Sequence, residues 1–145
     1  MSMTASRLRR LSATQCFKLL RSVHVGRVGI SRPEGPLIQP VNFVLLDERV
    51  VFRTVSSLKF GAAAANAPVA FETDDYAADG SWGWSVLLTG VAEDVMDDAE
   101  RRQLRVALLR SWAFPDADRI VRITPATVTG RGFGHAVRAL AGTGM

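Results

Sequence analysis

The chain has 145 residues, 48% hydrophobic and 22% charged, which is room for one ordinary domain and too little for two. A single cysteine, Cys16, excludes a disulfide framework and a multi-cysteine zinc site, and no stretch approaches about 18 consecutive apolar residues or has the form of a signal peptide, so no membrane span is expected. The net charge of +4 points toward a polyanion, but seven basic residues precede the first acid, Glu34, and nine acids without a base lie between Lys59 and Arg101, which fits two charged faces or a field steering a small anion better than nucleic-acid binding.

Residues 1–11 are polar and basic and are expected to be loose. Ser12 and Gln15 have the spacing of a capping box, and Cys16, Leu19, Leu20 and Val23 follow as one apolar helical stripe. Gly26 ends this helix or opens a strand, Arg27–Ser31, closed by a turn over 32–36. Leu37–Leu46 is strand-like but carries Pro40, which predicts an edge, a bend or a bulge. A hairpin connection at 47–49 leads to Val50–Val55, with Val50, Phe52 and Thr54 on one face and Val51, Arg53 and Val55 on the other.

Leu58–Asn66 reads as a helix and Val69–Asp74 as a strand. Tyr76–Gly83 is a loop and Trp84–Val95 a long strand. Asp97 and Glu100 suggest a second capping box, before a stripe of Leu104, Ala107, Leu108 and Ser111 or Trp112. Two strands, Asp118–Thr124 and Thr127–Phe133, flank Pro125, and the tail from Gly134 is expected to be loose. Six or seven strands with three helices predict an α+β, mainly β, antiparallel barrel.

Nucleotide-binding glycine loops, a nucleophile elbow and a metal-binding His-Glu-x-x-His are missing. Gly130-Arg-Gly-Phe-Gly134 matches such a loop only in part, and His24 and His135 have no ligand or triad spacing. Arg53, Thr54, Ser56, Ser57 and Lys59 combine a guanidinium fork, hydroxyls and an ammonium at a helix start. They form a phosphate cradle, or a strand-end arginine with a solvated lysine. Gln39-Pro-Val-Asn-Phe43 offers either a simple bulge or bent backbone for a flat heteroaromatic ring. Trp82 and Trp84 either stack on a ligand or a subunit, or divide between core and surface. Cys16 is a small buried hydrophobe.

Taken in order, Val25-Gly-Arg-Val28, Gln39-Pro-Val-Asn-Phe43, Val51-Phe-Arg-Thr54 with Lys59, Val69-Ala-Phe-Glu72, Gly83-Trp-Ser-Val86 and Thr129-Gly-Arg131 resemble the pyridoxamine 5′-phosphate oxidase-like flavin-binding split-barrel proteins, small actinobacterial-type members above all. The resemblance implies one domain over 1–145, a six-stranded antiparallel split barrel with flanking helices, and a homodimer with FMN at its interface. It implies that Arg53 and Lys59 hold the phosphate with Thr54 and Ser56 or Ser57. The Pro40, Val41 and Asn42 backbone would lie along the ring, Trp84 and Ser85 would line the groove from the other subunit, and Arg131 would approach ring or phosphate.

The implied activity is flavin-dependent oxidoreduction of a small molecule with NAD(P)H as donor, in the cytoplasm. The alternatives are F420 in place of FMN, haem, or a flavin-binding redox sensor without turnover. The longer C-terminal part of true pyridoxamine phosphate oxidases is missing, so vitamin B6 oxidation is not implied.

Overall fold

Local sequence sets the first elements. The computed structural model describes residues 8–54, 67–108, 119–135 and 140. Helix α1 (Ala13–Arg21) starts at the full capping box: Ser12 Oγ accepts from the Gln15 N–H at 3.2 Å, and Gln15 Oε1 accepts from the Ser12 N–H at 2.9 Å. Its stripe buries Cys16, Leu19 and Leu20. Helix α2 (Asp98–Ala107) is capped by Asp97, whose carboxylate accepts from the Glu100 N–H at 2.9 Å. Only half of the expected second box forms, because the Glu100 carboxylate turns to Arg122 instead. Leu104 and Leu108 face inward, whereas Ala107 is exposed; Ser111 and Trp112 lie outside the described residues.

The strands are β1 (Arg9–Leu11), β2 (Val25–Ile30), β3 (Leu37–Leu46), β4 (Arg49–Thr54), β5 (Pro68–Tyr76), β6 (Gly83–Asp94) and β7 (Arg119–Phe133). They form one antiparallel sheet in the order β1-β7-β4-β3-β2-β5-β6, and β6 pairs back onto β7. That pairing closes β2–β7 into a six-stranded barrel, with β1 as an extra strand beside the far half of β7. The fold is the mainly β split barrel expected, with helices at its flanks.

Two clusters of side chains result from strand alternation. Val28, Phe43, Val50, Phe52, Phe71, Val86, Leu88 and Ile123 fill the interior together with the apolar side of α1. Val51, Val95, Leu104, Leu108 and Ile120 join α2 to the outside of the wall. Phe43 and Phe71 meet edge to face, with centroids 4.8 Å apart. Gly26 lies beneath Phe71: a Cβ there would stand 2.2 Å from the ring. Gly26 is therefore strand interior rather than a helix stop.

Several boundaries differ from expectation. β1 is paired with β7, so residues 9–11 are not loose. β7 is continuous through Pro125. The register steps from Thr89↔Thr127 to Gly90↔Pro125, leaving Ala126 as the extra residue of a bulge. Gly90 permits the close approach, since a Cβ would lie 2.1 Å from the Thr124 carbonyl oxygen. Leu140 is buried in the main core, so the tail is anchored at that point. β3 lies between β2 and β4 rather than at an edge. Phe43 donates its N–H to the His24 carbonyl on the β2 side, so alternation turns the even residues of β3 the other way. The missing N–H of Pro40 thus falls where β4 has already ended its pairing. The helix expected over 58–66 lies outside the described residues.

Candidate functional site

The ladder between β3 and β4 stops at Phe43↔Phe52. One step further, Asn42 and Arg53 stand where the two strands part, both on the outer face beside the cluster under α2. Asn42 is 9% exposed and Thr54, the next residue along, is 2% exposed. Asn42 Oδ1 and Thr54 Oγ1 are the two buried side-chain polar atoms that lack a hydrogen-bond partner among the described residues. An orphaned buried acceptor costs about 1–3 kcal/mol, so the outer mouth holding Asn42 Oδ1 beside Arg53 is suited to a polar occupant, whereas Thr54 Oγ1 lies on the inner face with Val50 and Phe52. Across β7, Thr54 faces Arg119, which forms a bidentate ion pair with Asp94. Pro40 is exposed on the same outer face, opposite Arg27. Val41 points into the core. Ser56, Ser57 and Lys59 lie outside the described residues.

The remaining predicted residues occupy a different wall. Ser85 pairs with Arg131, and both side chains are exposed on the outer face of β6 and β7. Trp84 points the opposite way and is buried in the core at 7% exposure, so its ring packs rather than lines the groove. β6 is three strands from β3 around a six-stranded barrel, which is the opposite side. Within one chain, Asn42 and Arg53 are therefore not brought together with Ser85 and Arg131.

A charged group that the sequence reading missed lies on the wall between them. Arg27 reaches Glu72 at 3.2 Å and Asp74 at 3.6 Å, so one guanidinium serves two carboxylates on successive outward positions of β5. Burial, then the neighbouring Asp74, push the Glu72 carboxyl up to about 7, against the pull of Arg27. The signal was available as acids two residues apart in an alternating strand. Among the described residues no cluster of His, Cys, Asp and Glu could hold a metal ion, and no helix is long and apolar enough to cross a membrane.

A family model for pyridoxamine 5′-phosphate oxidase matches residues 12–132. The chain belongs to the pyridoxamine 5′-phosphate oxidase family. A relative, an uncharacterized protein of Mycobacterium tuberculosis, is 37% identical over 125 residues, covering 83% of this chain and 82% of its own. The structure of the FAD binding protein from Mycobacterium smegmatis is similar at 38% identity and a TM-score of 0.74, over 86% of this chain and 97% of that one. A FAD-binding protein from Mesorhizobium loti shares the fold at 24% identity and a TM-score of 0.73, over 86% and 97% of the two chains.

The mouth residues suit the flavin chemistry that the resemblance implies. Asn42 Oδ1 can only accept, as a ring N–H requires, whereas Thr54, expected to help hold the phosphate, turns its hydroxyl to the inner face with Val50 and Phe52 and does not share the outer mouth. Arg53 adds a permanent positive charge on the same outer face as Asn42.

Proposed function

We propose that this chain is a flavin-binding protein, with FMN as the cofactor first expected, and that it works as a flavin-dependent oxidoreductase on a small molecule. The observation that carries the reading is the mouth between β3 and β4, with the orphaned, buried Asn42 Oδ1 beside Arg53 on the outer face. The resemblance to a FAD binding protein at 38% identity supports a flavin and brings FAD in beside FMN and F420. When bound, a flavin supplies the redox chemistry, hydride transfer between a nicotinamide donor and a small acceptor.

The residues supply position and charge. Arg53, with Lys59 and the hydroxyl of Ser56 or Ser57, holds the phosphate, and Thr54 supports the strand from its inner face. The Pro40–Asn42 backbone and the Asn42 amide orient the ring's polar edge and keep water from it. Ser85 and Arg131 complete the groove from a second copy. A twofold axis brings the mouth of each protomer to the β6–β7 wall of the other, making two equal sites. Ile38, 71% exposed, and Leu87, Val91 and Val25 lie on the outer faces that such an axis would cover. In the reducing cytoplasm the Cys16 thiol, buried and raised in pKa by desolvation, stays protonated and unreactive.

Visible absorbance of the purified protein, titrated with FMN, FAD and F420, tests this reading. A bound flavin spectrum is expected, with affinity reduced at least about tenfold in Arg53→Ala by loss of a charge-assisted bond. No bound chromophore with any of the three, or unchanged affinity in R53A, refutes it. Stopped-flow mixing of the loaded protein with NADH and NADPH then distinguishes turnover from binding alone.

A further inference from the structure

β1 places a second arginine beside Arg131. Arg10 lies directly opposite Arg131 in the β1–β7 register, and Arg131 lies directly opposite Ser85 in the β7–β6 register. All three side chains are exposed on one face, because Leu11, Gly130 and Val86 occupy the buried side of the same strands. Directly opposed Cβ atoms are about 4.5–5.5 Å apart, so two guanidinium groups and a hydroxyl form one row across three strands. Like charges opposite each other repel, and neither Arg10 nor Arg131 has a carboxylate partner among the described residues. The nearest acid in the row is Asp74, opposite Ser85 on β5, and it is engaged by Arg27. Arg10 falls just outside residues 12–132, which the family model matches, and Arg131 falls inside them.

We infer that Arg10, Arg131 and Ser85 form a phosphate-binding subsite on the β1–β7–β6 wall, separate from the Arg53 mouth. An anion between the two forks converts their repulsion into two charge-assisted contacts, and the Ser85 hydroxyl donates a third bond. Arg53 pairs with Ile120 in β7, whereas Arg131 is eleven residues further along that strand. At about 3.3 Å per residue the two arginines are too far apart to share one phosphate within a chain. Within one chain the subsite therefore takes a phosphate other than the one at Arg53. Its sources are the outer phosphate of a dinucleotide flavin seated in the mouth of the other protomer, or the phosphate of a nucleotide co-substrate. The choice of nucleotide rests on the proposed flavin function; the anion site does not.

The test is an NMR titration of the arginine side-chain Nε–Hε signals of the full chain with inorganic pyrophosphate. Two arginine signals are expected to shift together in the wild type. Affinity should fall about tenfold or more in Arg10→Gln and in Arg131→Gln, with R10K intermediate because it keeps the charge and loses the fork. R10Q should melt at or above the wild-type temperature in low salt, since it relieves a repulsion. Equal pyrophosphate affinity in all forms, or an R10Q protein that melts well below the wild type, overturns the inference.

FMN, FAD and NADPH affinities of R10Q identify the source. Loss for FAD with FMN unchanged assigns the cofactor's second phosphate, and loss for NADPH assigns the co-substrate. Unchanged affinity for all three overturns the nucleotide assignment. Arginine-dependent pyrophosphate binding in a protein that takes up no flavin would sustain the subsite while the flavin reading failed.

Discussion

Glu72→Gln isolates the charge shared by Arg27, Glu72 and Asp74. The Glu72 carboxyl is raised from 4.5 to about 7 by burial first and Asp74 second. Between those values the folded chain holds a proton that the unfolded chain has released. Stability from this group is therefore fully present below pH 4.5, declines as pH rises through the window, and is gone above about 7. For a fully dry group the displacement would be worth about 3 kcal/mol. The Glu72 side chain is 36% exposed, and screening by solvent reduces the effect to about 1 kcal/mol. Urea unfolding at fixed protein concentration from pH 5 to 8 measures it. The wild-type curve should lose about 1 kcal/mol more than the E72Q curve over that range. Asp74→Asn should also flatten the wild-type slope, because it removes the neighbouring carboxylate. Parallel pH profiles for wild type and E72Q would show that the shared-arginine cluster does not hold a proton in the folded state.

Three further outcomes follow from the packing. Gly26→Ala must push the Phe71 ring off its edge-to-face contact with Phe43, at a cost of about 1–3 kcal/mol by urea unfolding. Asp47 and Glu48 form the β3–β4 turn with φ of 51° and 58°, so the double change D47N/E48G should raise stability by about 1 kcal/mol. Ser12→Ala removes the acceptor of the α1 cap and should lower stability by about 1 kcal/mol, with a lower melting temperature as the readout.

The barrel was legible wherever a local rule decides the structure. The Ser12–Gln15 box, the stripe of α1 and the alternation of Val50 to Arg53 are short-range patterns, and each is found in place. Long-range contacts decide the departures. Pro40 reads as marking an edge, a bend or a bulge; of these the edge is not found, and Pro40 sits in an interior strand because β4 stops pairing before reaching it. Pro125 reads as a break, yet a bulge opposite Gly90 carries β7 through. Glu100 reads as a capping partner, but Arg122 on a distant strand takes its carboxylate. The site was legible as residue types but not as one place. Spacing cannot show that Asn42 and Ser85 are on opposite walls, because that depends on strand order around the closed sheet.

The length of β7 also bears on how the chain is made. Its fifteen residues pair with β1, β4 and β6, and they are almost the last of the described chain to leave the ribosome. Until then the strands β2 to β6 can form only an open sheet, with β4 and β6 as bare edges and Phe52, Val86 and Leu88 uncovered. Closure joins segments some seventy positions apart, Val50 to Ile123 among them, so it comes late and slowly. The nascent chain is most prone to aggregate in the interval before residue 133 emerges, and a chaperone that shields strand edges would act at that stage.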